Sequence, residues 1–63
     1  MLQNMLEQVL SEGTYIRKFY IDWDSDHGEL VHVYQMTSEV EAHIAYKQSD
    51  RTISYILFTN HKS

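Results

Sequence analysis

The sequence predicts an α+β domain in which an N-terminal amphipathic helix packs on a four-stranded antiparallel meander (αββββ). Three observations carry this prediction. The first ten residues show a helical apolar stripe, the chain from Thr14 onward is rich in valine, isoleucine, threonine and aromatic residues, and short polar connections interrupt that second part. β-Branched and aromatic residues favour strands, and such short connections join only antiparallel neighbours. A chain of 63 residues has room for one domain, which we place over residues 1–63.

The predicted helix covers residues 2–12. Its apolar residues recur at the spacing of one helical face, namely Leu2, Met5, Leu6, Val9 and Leu10. Gly13 follows directly and suits a left-handed C-terminal cap. We therefore expect an amphipathic helix that covers one face of the sheet.

The predicted strands cover residues 14–24, 29–36, 39–48 and 51–59. The third is the ambiguous one, because Ser38 and Glu41 have the spacing of a helix capping box. Alternation of apolar residues with period two across positions 40–46 favours a strand instead. If a helix formed there, the order of elements would be αββαβ.

The register of the sheet follows from the turns if these are symmetric. A turn centred on residues 37–38 places His32 opposite His43, and a turn centred on residues 49–50 places Ile44 opposite Tyr55. Both turns put the same apolar residues of the last three strands on one face, and the alternating apolar residues of the first strand join them. We expect the helix to cover this face, which carries Tyr15, Phe19, Ile21, Trp23, Val31, Val33, Val40, Ala42, Ile44, Ile53, Tyr55 and Leu57.

The opposite face of this predicted sheet is too apolar to be simply solvated. It carries seven large apolar or aromatic residues, which we take as a candidate protein interface: Ile16, Tyr20, Leu30, Tyr34, Met36, Ile56 and Phe58. Large exposed apolar patches usually mark interfaces. The alternative is a sheet that curls into a small closed barrel, or loops that cover some of these residues.

Composition excludes several classes of protein. With no cysteine and no proline, the chain has no disulfide framework, thiolate site or proline-rich segment. Its net charge is −4 and its five Lys and Arg residues are scattered, so we expect no direct nucleic-acid binding. No apolar run approaches 18 residues, and the N-terminus lacks a signal-peptide pattern. We expect a cytoplasmic protein with no membrane partner and, because so small a core is weakly stable, a homodimer.

The acidic residues form a candidate contact patch for a basic partner, consisting of Asp22, Asp24, Asp26, Glu29, Glu39 and Glu41. The spacing of the three aspartates resembles the start of a calcium-binding loop. In such a loop His27 and Val33 would occupy the positions that require glycine and glutamate, so we expect an acidic turn.

Histidines provide the alternative to an interaction protein. His32, His43 and Glu41 would be neighbours in the predicted register, and two histidines with a carboxylate can bind a metal or transfer protons. No spacing motif supports either chemistry. We therefore predict no catalytic residue, no metal and no cofactor, and keep a small catalytic or metal-binding domain as the alternative.

No motif assigns the chain to a known family. The function that these observations favour is a small acidic, non-enzymatic protein-interaction module. We expect it to self-associate and to bind and modulate another protein as an adaptor or inhibitor. Small acidic domains without cysteine suit such roles, including those encoded by phages and mobile elements, and one possible target is a basic nucleic-acid-binding surface of the partner.

Overall fold

The structure, a computed structural model, describes residues 2–60, apart from the side chain of Leu2. It contains one helix followed by four strands: α1 (Leu2–Glu12), β1 (Thr14–Ile21), β2 (Glu29–Gln35), β3 (Val40–Lys47) and β4 (Ile53–Asn60). The strands form one antiparallel sheet in the order β1-β2-β3-β4. The predicted αββββ fold is confirmed. Residue 1, residues 61–63 and the Leu2 side chain of the predicted helical stripe lie outside the described parts.

Strand β1 ends at Ile21, three residues before the predicted end. Asp22 has a positive φ of 46°, which ends the extended conformation, and its carbonyl accepts a hydrogen bond from the Ser25 amide at 3.0 Å. Gly28 closes this loop where the backbone has no room for a side chain, since an added Cβ would lie 2.8 Å from the Cα of Trp23.

Residues 40–47 form a strand, so the helical alternative is wrong. The hydroxyl of Thr37 accepts hydrogen bonds from the amides of Glu39 and Val40 at 3.3 and 3.2 Å. These bonds stabilise a turn, and the chain enters β3 directly.

Gly13 does not form the predicted left-handed cap, because its φ is not positive. Its amide donates to the carbonyl of Val9 at 2.8 Å. A Cβ at this position would lie 2.8 Å from the Sδ of Met36 and 3.0 Å from the Cβ of Tyr34. The close approach of the helix end to β2 therefore explains why position 13 is a glycine.

The predicted register between the second and third strands is wrong by one residue. Met36 donates its amide to the carbonyl of Val40 at 2.9 Å, which closes a turn one residue longer than predicted. His32 consequently lies opposite Ile44, and His43 lies opposite Val33.

Two bulges shift the outer strands as well. At the last turn Tyr46 pairs with Ile53, as a turn centred on residues 49–50 requires. The register then shifts, so Ala45 pairs with Tyr55 and the predicted pairing of Ile44 with Tyr55 is wrong. In β1 the register shifts at Ile16, which places Tyr15 and Arg17 on opposite faces.

These shifts change which face the helix covers. Val9 of α1 packs with Ala42 and Ile44 in a fully buried cluster, surrounded by partly buried Leu6, Tyr34, Met36, Tyr46, Ile53 and Ile56. We call this side the helix face. Phe19, Val31 and Val33, which were predicted to lie under the helix, point to the other side of the sheet, which we call the helix-free face.

Candidate functional site

The helix-free face has an apolar centre. Val31, Val33 and Ala45 are fully buried there, and Phe19 packs against them. Around this centre lie exposed apolar side chains, among which Leu57 is 49% exposed. Within residues 2–60 the only helix packs on the other side of the sheet, so its apolar face cannot cover this one. The surface has the composition of an interface core.

An ion-pair network lies on the same face. The Oε1 atom of Glu41 is 3.2 Å from the Nη2 of Arg17 and 3.2 Å from the Nε2 of His43. Glu41 is only 7% exposed, whereas half of the Arg17 side chain is in solvent. The ring of His43 also meets Phe19 edge to face at 6.0 Å. The sequence analysis missed this network because strict alternation gives Arg17 the phase of Tyr15 and Phe19, which is the face opposite to Glu41 in the predicted sheet.

The predicted interface residues do not share one open surface. Tyr34, Met36 and Ile56 pack against the helix cluster. Tyr20 and Phe58 are exposed on the helix face, beyond those packed side chains. The two remaining members are Leu30, which lines a pocket on that face, and Ile16, which is exposed at the bulge. Placing an uncovered face on this side was thus wrong, although whether any of the seven contacts a partner remains a prediction.

The predicted acidic patch also divides. Asp22, Asp24 and Asp26 are all exposed in the loop between β1 and β2, and we call these three residues the acidic loop. Glu29 begins β2 at the same end of the sheet, whereas Glu39 lies in the turn at the opposite end. Glu41 is buried and paired, so its inclusion in a solvent-exposed patch was wrong.

The histidine cluster of the catalytic or metal-binding alternative is not assembled. His32 lies on the helix face, where its ring meets Tyr15 at 5.5 Å and Tyr46 at 5.2 Å. His43 and Glu41 are on the other side of the sheet. Burial, followed by the charge of Lys18, lowers the pKa of His32, so this ring favours its neutral form. Among the described side chains, no group of three or more His, Asp and Glu residues is arranged to hold a metal ion.

Comparisons of the chain with protein-family models, with curated proteins and with solved structures find no match. The helix of the described region is too short and too polar to cross a bilayer. The case for a function therefore rests on the chemistry of the surfaces themselves.

Proposed function

We propose that this protein is a small non-enzymatic interaction module that self-associates through the helix-free face and acts on another protein as an adaptor or inhibitor. The observation that carries the proposal is a group of exposed apolar side chains on the helix-free face, namely Ile21, Tyr55 and Leu57, which are 39%, 37% and 49% exposed. Such a face loses its contact with water when a second surface packs on it, and burial of apolar area is the main driving force for association.

The size of the face supports a second copy as its occupant. The two long dimensions of the fold are 34 and 28 Å, so the flat area of one face has an upper limit of roughly 950 Å²; a stable interface buries about 800 Å² on each partner. Two sheets of this kind can stack face to face at a spacing of about 10 Å. Small single domains also commonly gain stability by oligomerisation when no disulfide or metal is present.

The charges on the helix-free face also support self-association. Arg17 and Glu41 lie near one end of the face, with their charged atoms 3.2 Å apart. The charges of this pair cancel, so a two-fold axis between two copies can bring opposite charges together. A strongly acidic or basic partner would meet no complementary charge on such a face.

Adjacent residues of β4 provide a matched test of the proposed interface. Leu57 and Phe58 have similar exposure, 49% and 43%, but point to the helix-free face and the helix face respectively. We expect sedimentation velocity to show a wild-type dimer at micromolar concentration and a monomer for Leu57→Glu, because the change buries an unpaired charge in the interface. Phe58→Glu should remain a dimer, and far-UV circular dichroism checks that both variants are folded.

Two results would contradict the proposal. Dissociation of Phe58→Glu with retention of the dimer in Leu57→Glu would move the interface to the helix face, where Phe58 and most of the other interface residues predicted from the sequence lie. A wild-type chain that stays monomeric at the highest attainable concentration would exclude self-association.

The acidic loop supports the second half of the proposal, binding to another protein. Its three aspartates are exposed at the end of the sheet, so a dimer stacked through the helix-free face leaves them accessible. A partner with a basic surface, such as one that binds nucleic acid, is complementary to this loop. Binding through the acidic loop is a non-enzymatic function.

A further inference from the structure

A pocket with aromatic walls lies on the helix face, at the end of the sheet that carries the β1–β2 and β3–β4 loops. Its volume is about 420 Å³, and it is lined by Tyr20, Trp23, Leu30, His32, Tyr46, Lys47 and Arg51. Pockets for small molecules range from about 300 to 1,000 Å³ and combine apolar walls with a few polar groups. The pocket is therefore large enough for a compact organic molecule.

Four aromatic rings surround the space in two edge-to-face pairs. Tyr20 and Trp23 have centroids 4.9 Å apart, and His32 and Tyr46 have centroids 5.2 Å apart, with an interplanar angle of 61° in each pair. Burial raises the pKa of the Tyr46 hydroxyl, and the pKa of His32 is lowered, so both rings favour their uncharged forms. Uncharged rings offer stacking surfaces to a planar ligand.

Positive charge gathers at this pocket although the chain as a whole is acidic. Lys47 and Arg51 line it, and the Nζ of Lys18 lies 6.0 Å from the centroid of the Tyr20 ring. The lining contains no carboxylate. The nearby carboxylate of Asp50 accepts hydrogen bonds from the Thr52 amide at 3.0 Å and the Thr52 hydroxyl at 2.7 Å, and these bonds tie it to its own turn.

We propose that this pocket binds a planar aromatic molecule bearing an anionic group, with its ring against the aromatic walls and its anion at Lys47 and Arg51. A nucleoside monophosphate has this chemistry, and so does an aromatic carboxylate. Arginine and lysine favour both phosphate and carboxylate, and arginine binds either with two parallel hydrogen bonds. A compact pocket on an acidic chain fits a small ligand better than a nucleic-acid strand, which requires a basic track.

The experiment is a titration of the full chain followed by amide chemical shifts, with the fluorescence of Trp23 as a second signal. The probes are AMP, UMP, indole-3-acetate, adenosine and inorganic phosphate. AMP and UMP, or indole-3-acetate, should shift amides around the pocket at millimolar or lower concentration, and the class that binds more tightly identifies the source of the ligand. Adenosine carries the aromatic ring without the anion, and inorganic phosphate carries the anion without the ring. Each should bind at least about tenfold more weakly.

Variants show whether the anionic probes bind at the pocket or are attracted by positive charge anywhere on the chain. Lys47→Gln combined with Arg51→Asn should weaken binding of the anionic probe by about tenfold or more, since it removes the charge-assisted bonds. Asparagine is chosen because Arg51 has a φ of 64°, which asparagine tolerates. Arg17→Gln removes a positive charge from the opposite face and should leave the affinity unchanged.

Four results would overturn the proposal. They are the absence of shifts at the pocket with every anionic probe, an affinity for adenosine equal to that for the tightest anionic probe, an equal loss of affinity in Arg17→Gln, and an oligonucleotide that binds far more tightly than AMP with shifts spread across the sheet. The last result would instead indicate a surface for single-stranded nucleic acid. None of these outcomes depends on dimer formation, so the pocket and the proposed interface fail independently.

Discussion

The ion pair between Arg17 and Glu41 can be used to test the sheet register in solution. Their charged atoms lie 3.2 Å apart because the turn between β2 and β3 and the bulge at Ile16 place both side chains on the helix-free face. In the register predicted from symmetric turns, the two residues are on opposite faces and cannot interact. A double-mutant cycle with Arg17→Met and Glu41→Gln therefore reports which register the chain adopts.

The size of the coupling follows from the exposure of the two groups. Exposed ion pairs contribute about 0.2–1 kcal/mol, and breaking a buried pair costs about 3–5 kcal/mol. The side chain of Arg17 is 51% exposed and that of Glu41 is 10% exposed. His43 shares the same carboxylate oxygen, so Glu41 keeps a partner when Arg17 is replaced. We expect a coupling of about 1 kcal/mol, which corresponds to about 4–8 °C in Tm for a domain of this size.

The assay is urea and thermal unfolding of the four proteins, followed by circular dichroism at one fixed protein concentration because self-association would make the stability concentration-dependent. Glu39→Gln provides the matched control, since Glu39 is exposed in the turn before β3. Combined with Arg17→Met it should show a coupling near zero. A coupling between Arg17 and Glu41 below about 0.3 kcal/mol, within the error of additivity, would refute a stabilising pair of these two residues.

Two further predictions concern pH and charge. Burial and the charge of Lys18 lower the pKa of His32 in the folded state, so the unfolded chain binds a proton at His32 more tightly than the folded chain does. The contribution of His32 to the free energy of unfolding is therefore fully present above about pH 6.5 and is lost as pH falls. His32→Gln should flatten this dependence in unfolding curves measured at a series of pH values, and an unchanged slope would contradict it. Replacing the acidic loop by asparagines should change stability by less than about 0.5 kcal/mol and weaken salt-sensitive binding to a poly-lysine surface. A triple variant with the same charge change but elsewhere is the control: Glu7→Gln, Glu12→Gln and Glu39→Gln. Equal binding by the two triple variants would remove the loop from the site.

The helix and the four strands could be predicted because their signals are local. The apolar stripe of residues 2–12 depends only on the period of a helix, and the alternation of residues 40–46 depends only on the pleat of a strand. The end of β1 could not be predicted in this way. Ile21 is followed by an aspartate in a left-handed conformation, which the alternating pattern through Trp23 does not reveal.

The register could not be predicted because it depends on a single residue in a turn. Thr37, Ser38 and Glu39 contain no Asn-Gly or similar pair that would indicate the length of the turn. One extra residue moves every side chain of the following strand to the opposite face. The bulge between Ala45 and Tyr46 then shifts β4 again, and nothing in its sequence marks this position.

Pattern alone also fails to select a register because this sheet has apolar residues on both faces. A register is strongly specified when one face is apolar and the other polar. Here Ala42 and Ile44 form a buried cluster on one side, and Val31, Val33 and Ala45 form another on the opposite side. Either register therefore gives two apolar faces for one helix. The argument for an interface consequently does not depend on the register, because within residues 2–60 one face lacks a helix in both cases. The register decides which residues lie on the face without a helix. Leu57 and Phe58 point to opposite faces, so they are the residues that distinguish the two registers.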